Sequence, residues 1–218
     1  IGGDDKGASL KPLFENIKEL DIVIYAIGSN TQRVLHAELQ DKDHRIELAV
    51  ADAYVVAMGS FSPLAVPRPV LQDIYPAKGY SATFKKKQNG TLPIMSITDE
   101  ANKVVFTPIG KTLRVAGTAE FNGYSTELNP VRCAALLAAT RRWFGYDMVD
   151  FTQADYWSGL RPATPNNTPI IGVDPEISNL FFNTGHGTLG WTHACGSAKG
   201  LTRLMNKETA ECAFQFLC

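Results

Sequence analysis

At 218 residues, with 44% hydrophobic and 20% charged side chains, the chain is long enough for one large or two small globular domains around a sizeable core. A formal net charge of −1 leaves no positive excess to draw nucleic acid, so nucleic-acid binding is not expected. No apolar run approaches the roughly 20 residues of a membrane helix, and no basic-then-apolar leader opens the chain. A cytoplasmic protein, with at most peripheral membrane attachment, is the expectation. Cys133, Cys195, Cys212 and Cys218 are scattered without CxxC spacing and read as reduced thiols. The chain opens at Ile1, and the run to Gly7 reads as the middle of a loop, so a longer polypeptide, or a processed or separately encoded chain, is expected.

Taken in order, Lys11 to Leu20 places Leu13, Ile17 and Leu20 at helical spacing behind Ser9 as a cap. Asp21 to Ile27 is a β-branched apolar run, a buried strand that with the helix suggests an α/β crossover. Thr31–Leu39 and Arg45–Val50 alternate around a turn at Asp41 and predict an antiparallel hairpin. Asp52 to Ser60 reads as a second buried strand ending in Gly59-Ser60, the kind of strand end at which open α/β sheets hold ligands.

Pro63, Pro67 and Pro69 mark a connection into a β-rich stretch, with strands expected at Gly79–Lys85, Ile94–Thr98, Lys103–Pro108 and Thr112–Thr118. Asn129 to Phe144 carries a cap residue, a proline at the first helical position and an alanine-leucine body, ending at Gly145. Phe151 to Ser158 is expected to return the chain to the first unit. There Leu180–Phe182 forms a strand and a helix from about Trp191 to Met205 completes it. Expected boundaries are therefore 1–62, 63–150 and 151–218, an α/β (α+β) chain with a β-rich insertion.

Two segments carry the chemistry: Trp157-Ser-Gly-Leu-Arg-Pro through Gly172, and Asn183-Thr-Gly-His-Gly-Thr-Leu-Gly-Trp-Thr through Gly196. Arg161 sits among Pro162, Pro165 and Pro169, and a guanidinium forks onto a carboxylate through two parallel hydrogen bonds. The alternative is a structural ion pair. Gly185, Gly187 and Gly190 precede a helix start, where main-chain N–H groups approach electron-rich ligands. His186 is a packed residue rather than a base on this reading, and His193 with Cys195 lacks the further ligands of a metal site. Tyr80 and Tyr124 are candidates for lining a cavity of the β-rich unit, with ordinary aromatic packing as the alternative.

With Asp52–Ser60, Tyr75–Tyr80, Arg114–Glu120 and Leu128–Pro130, these segments resemble in order the D-amino acid oxidase superfamily, and within it bacterial D-amino acid dehydrogenases. The resemblance implies the C-terminal half of a two-domain FAD enzyme: a discontinuous, Rossmann-like FAD-binding unit with an inserted antiparallel substrate domain. It implies that Arg161 holds the substrate carboxylate, with Tyr80 and Tyr124 beside it. Gly59 and the turn Gly185, His186, Gly187, Thr188, Leu189, Gly190, Trp191 and Thr192 would contact the cofactor. A D-amino acid would then be deaminated oxidatively to a 2-oxo acid and ammonia, its Cα hydrogen leaving as hydride to flavin. Electrons would pass to an acceptor such as a quinone chain at the inner membrane. An oxygen-using D-amino acid or glycine-type oxidase and a non-catalytic binding module are the rivals. The family's Gly-x-Gly-x-x-Gly pyrophosphate turn is absent from the sequence, so an N-terminal FAD-binding half is an expected partner.

Overall fold

The computed structural model describes residues 20–27, 32–41, 43 and 45–209. The helix expected over Lys11–Leu20 lies outside these apart from Leu20, which already belongs to a strand. The chain divides into two compact units: Ile1–Ile74 with Thr164–Cys218, and Tyr75–Ala163.

The first unit is discontinuous in sequence. Strands β1 (Leu20–Ile27), β2 (Val34–Asp41) and β3 (Ile46–Ala49) form an antiparallel sheet in chain order. The expected hairpin is β2–β3, but the run at 21–27 pairs antiparallel with β2 rather than entering a crossover. Local apolarity marks a strand without marking its partner. A second sheet, in the order β10 (Ile170–Val173), β11 (Leu180–Thr184), β4 (Tyr54–Val56), contains the parallel pair β4–β11. Of the expected strand at 52–60 only Tyr54–Val56 pairs; Gly59–Phe61 is a single 3-10 turn, followed by the short α1 (Ser62–Ala65).

Val56, Val66, Leu71, Ile74, Ile170, Leu180 and Phe182 bury one side of this sheet, while Ile171, Phe181 and Leu201 pack the other side under a helix, α3 (Gly190–Met205). Asn179 ties the two sheets together: its side chain accepts from Val34 N at 2.8 Å and donates to Val34 O at 3.0 Å. Arg68 forks onto the fully buried Asp174 at 2.7 and 3.0 Å, so that charge is compensated in place.

The second unit is a five-stranded antiparallel sheet in the order β6 (Ile97–Asp99), β7 (Val104–Ile109), β8 (Thr112–Glu120), β5 (Tyr75–Lys86), β9 (Val149–Ala163). One face is covered by α2 (Pro130–Phe144). Asn129 caps that helix by accepting from Val131 N at 3.0 Å, and Gly145 ends it at φ 64. Tyr80, Ala82, Phe84, Phe106, Leu113, Val115 and Leu136 form the core beneath it.

The boundaries differ from the expected 62/63 and 150/151. The prolines at 63–69 belong to the first unit. β9 does not return to the first unit at Phe151, because it pairs with β5 from Lys86↔Val149 to Tyr75↔Ala163. Arg161 consequently lies on a strand of the second unit, not in a proline-stiffened loop.

Candidate functional site

In the second unit, register decides which side chains meet. Ala77 lies opposite Arg161, Gly79 opposite Gly159 and Ser81 opposite Trp157, while on the other flank Gly79 faces Ala119 and Ser81 faces Ala116. Directly paired residues share a face, so these residues occupy the face opposite the α2-covered core.

Arg161 lies flat on this face. A Cβ added at Gly79 would come within 2.2 Å of its Nη2 and 2.7 Å of its Nη1, so the guanidinium occupies the space a side chain would need. Arg161 Nη1 donates to the Thr118 carbonyl at 3.3 Å. Thr118 has φ 58, at the point where the β5–β8 register shifts between Gly79 and Tyr80. The bulge thereby offers its carbonyl to the arginine, in a conformation that costs a non-glycine residue free energy.

Among the described residues no carboxylate pairs with Arg161. Burial pushes its pKa down, the expected direction for a half-buried cation without a counter-ion. A guanidinium stays charged even so, and the arrangement is suited to accept an anion.

Of the two expectations for Tyr80, the structure shows packing in the core. Its strand position turns it to the opposite face, where it is 2% exposed within the core, and its hydroxyl donates to Glu120. The same cluster buries Lys78, 1% exposed, whose Nζ lies 2.9 Å from Glu120 Oε2 and donates to Glu127 O at 2.9 Å. Asn129 Nδ2 adds a bond to Glu120 Oε1 at 3.1 Å. Lys78, then Tyr80 and Asn129, hold the Glu120 carboxyl down to about 2, and the Glu120 hydrogen bond raises Lys78 above its ordinary value. This polar knot is fully partnered and joins the start of α2 to the sheet. Tyr124 lies in the connection between β8 and α2, partly exposed, with burial raising its pKa.

In the first unit, β4 and β11 run parallel, so their carboxyl ends lie side by side. Gly59, at φ 54, accepts from Thr184 Oγ1 at 3.1 Å, and Thr184 Oγ1 also meets Ser62 Oγ at 2.8 Å. The structure therefore brings Gly59 to the start of the glycine turn. Gly185 follows at φ 75, where a Cβ would stand 2.9 Å from Thr164 Cγ2; Gly187 has φ 55, with open space where a Cβ would project. Both positions require glycine's freedom.

Leu189 N closes the turn onto His186 O at 3.0 Å, and α3 begins at Gly190 with Leu189 as a cap that offers no side-chain acceptor. The N–H groups of Gly190, Trp191 and Thr192 precede the first intrahelical donor, His193, which reaches Leu189 O at 2.9 Å. Thr188, Leu189, Trp191 and Thr192 are exposed, Trp191 at 97%. Main-chain donors at an open helix start suit an electron-rich ring edge.

His186 packs in the turn: its Nε2 is 2.9 Å from Ser197 Oγ, and burial, then His193, lowers its pKa. Beside α3, Thr168, Pro169, Ile171, Thr192, His193, Gly196 and Ser197 line a cleft of about 460 Å³. Sequence reasoning missed Thr184, Ser197, Gly79 and Thr118. Gly79 was legible in principle, as the small residue one position from Tyr80; Thr118 carries no such signal, since threonine rarely adopts positive φ.

One unit is thus a β-rich antiparallel sheet that carries Arg161, and the other a mixed α/β unit with a glycine turn at the carboxyl end of its parallel strands. Glycine oxidase from Geobacillus kaustophilus superposes with a TM-score of 0.69 over 90% of this chain and 50% of that one, at 20% identity. The sequence matches the DAO family, described as FAD dependent oxidoreductase, over residues 24–204. The chain belongs to this family. It is 46% identical over 198 residues to a D-amino acid dehydrogenase of Dechloromonas aromatica (strain RCB), covering 90% of this chain and 47% of the relative. Against the D-amino acid dehydrogenase of Paramagnetospirillum magneticum (strain ATCC 700264 / AMB-1) the identity is 46% over 157 residues, covering 72% and 37%. The chain thus spans about half the length, or less, of the curated relatives it matches. Among the described residues no helix is long and apolar enough to cross a membrane.

Proposed function

We propose that the chain is the C-terminal part of an FAD-dependent D-amino acid dehydrogenase, in which Arg161 binds the substrate carboxylate. The observation that carries this reading is the half-buried Arg161 guanidinium lying on the Gly79 backbone, with no carboxylate paired to it among the described residues. A fork held in one orientation fixes the carboxylate and therefore the direction of the Cα–H bond, and positioning of this kind supplies much of a two-substrate rate enhancement.

The cofactor fits the turn of the first unit. The uncapped N–H groups of Gly190, Trp191 and Thr192, with open space at Gly187, suit the pyrimidine edge of a flavin, and Gly59 flanks the same turn. When bound, FAD supplies the two-electron acceptor for the amino acid. His186, tied to Ser197, orients the turn and moves no proton. The imino acid released would hydrolyse to a 2-oxo acid and ammonia, and an acceptor such as a quinone chain would reoxidise the cofactor. The residues that cradle pyrophosphate would come from an N-terminal half.

The test is a comparison of D- and L-alanine oxidation by the complete, FAD-loaded protein with an artificial acceptor and with oxygen. Turnover of the D-enantiomer with the acceptor and little with oxygen is expected. No D-amino acid turnover would overturn the reading, and equal rates with oxygen would make the protein an oxidase.

A further inference from the structure

The face that presents Arg161 also presents an exposed aromatic side chain. Trp157 precedes Arg161 by four residues on β9, so both project to the same side, and Trp157 is 58% exposed. Its indole does not stand away from the sheet. A Cβ added at Gly159 would come within 2.1 Å of Trp157 Cη2 and 2.7 Å of its Cζ2, so the six-membered ring lies over the Gly159 backbone. Gly159 is the direct partner of Gly79, on which the Arg161 guanidinium lies. Two facing glycines thus form one floor, with a cation laid on one and an aromatic ring on the other.

The indole is held in place from its other side as well. Arg114 Cζ stands 5.8 Å from the ring centroid, and Arg114 Nη2 donates to Ser81 Oγ at 3.3 Å. Ser81 is the direct partner of Trp157. Cation–π contact and this hydrogen bond fix the ring as a wall rather than a mobile flap. Side-chain positions on facing residues of an antiparallel pair are about 5 Å apart. The guanidinium and the indole ring, each laid over one of two facing glycines, are therefore neighbours on one face of the sheet.

Resting on the reading of Arg161 as the carboxylate anchor, we propose that Trp157 is a specificity-determining residue. Its indole, laid down by Gly159 beside Arg161, forms the wall against which the substrate side chain packs. The site accordingly takes 2-amino acids with apolar or aromatic side chains in preference to acidic ones. Area removed from water on both surfaces supplies the preference, and Arg114 acts through the indole as a positioning residue.

The experiment measures kcat and KM of the complete FAD-loaded protein for D-alanine, D-phenylalanine and D-glutamate, in the wild type, Trp157→Ala and Trp157→Phe. The expected result is a fall on the order of tenfold in the D-phenylalanine to D-alanine ratio of kcat/KM for Trp157→Ala, expressed in KM. Trp157→Phe should restore most of that ratio, which a structural role for the indole would not require. Equal losses for both substrates, an unchanged ratio, or a wild-type preference for D-glutamate would overturn the assignment while leaving the anchor reading intact. Turnover of no D-amino acid by the wild type would overturn the functional reading, and the assignment with it.

Discussion

The open face of the five-stranded sheet and the turn from Gly185 to Gly190 solve opposite problems with the same residue type. On the sheet, Gly79 and Gly159 make room, so that two large side chains, Arg161 and Trp157, lie flat. In the turn, Gly185 and Gly187 supply positive φ, so that the main chain itself is the surface proposed to meet the cofactor. A substitution on the sheet should therefore be read through the side chain it displaces, and one in the turn through the backbone it bends.

The largest expected effect separates the two regions. Arg161→Lys retains the charge but loses the fork, and a hydrogen bond to a charged group is worth about 1.5–3 kcal/mol, so kcat/KM for D-alanine should fall roughly 10- to 100-fold. Flavin content, measured by absorbance, should stay at the wild-type level, because the residue lies in the second unit. Gly187→Val should do the reverse. Its φ of 55 costs a β-branched residue about 1–2 kcal/mol or more, and flavin occupancy or reduction rate should drop while the second unit keeps its thermal transition. Normal flavin loading and reduction would remove the turn from the cofactor site.

A third prediction sharpens the contrast between the sheet's two faces. Glu120, on the core face, has its pKa depressed from 4.5 to about 2 by Lys78, Tyr80 and Asn129. A depressed carboxylate contributes stability that is present above the unfolded value and is lost as pH falls through the folded one. Thermal stability of the second unit should thus decline between about pH 4.5 and 2, and Glu120→Gln should lower the neutral-pH transition while flattening that decline. A wild-type profile in the variant would show the knot to be idle. Asn129→Ala removes both the cap and one bond to Glu120, and should cost about 1–3 kcal/mol in denaturant unfolding without altering flavin content.

Local chemistry was the legible part of the sequence. Asn129, Pro130 and Gly145 delimited α2, the segments expected at 79–85, 103–108 and 112–118 match β5, β7 and β8 while that at 94–98 meets β6 only at Ile97 and Thr98, and the Gly185–Gly190 turn and Arg161 stood out by residue type. What failed was non-local. The apolar run at 21–27 does not name its antiparallel partner, and nothing in Phe151–Ala163 states that the whole segment stays paired with β5. Of the two expectations for Tyr80, the packed one fits its alternation with Ala82 and Phe84 on the apolar parity of β5, whereas Gly79, Ser81 and Thr83 hold the open one. The family pattern named a segment, and the period-2 rule distinguishes its two faces. Thr118 was invisible, because a bulge at a threonine is fixed by pairing rather than by the residue's own preference.

The central claim is the proposal that Arg161, with which no carboxylate among the described residues pairs, is the anchor for the substrate's carboxylate. Its most direct test is the ratio of kcat/KM for D-alanine to that for D-alaninamide, in the complete FAD-loaded protein and in Arg161→Met. The wild type should favour the acid by roughly 10- to 100-fold, and the variant should lose that preference. An acid-to-amide ratio unchanged by removing the guanidinium would contradict the account.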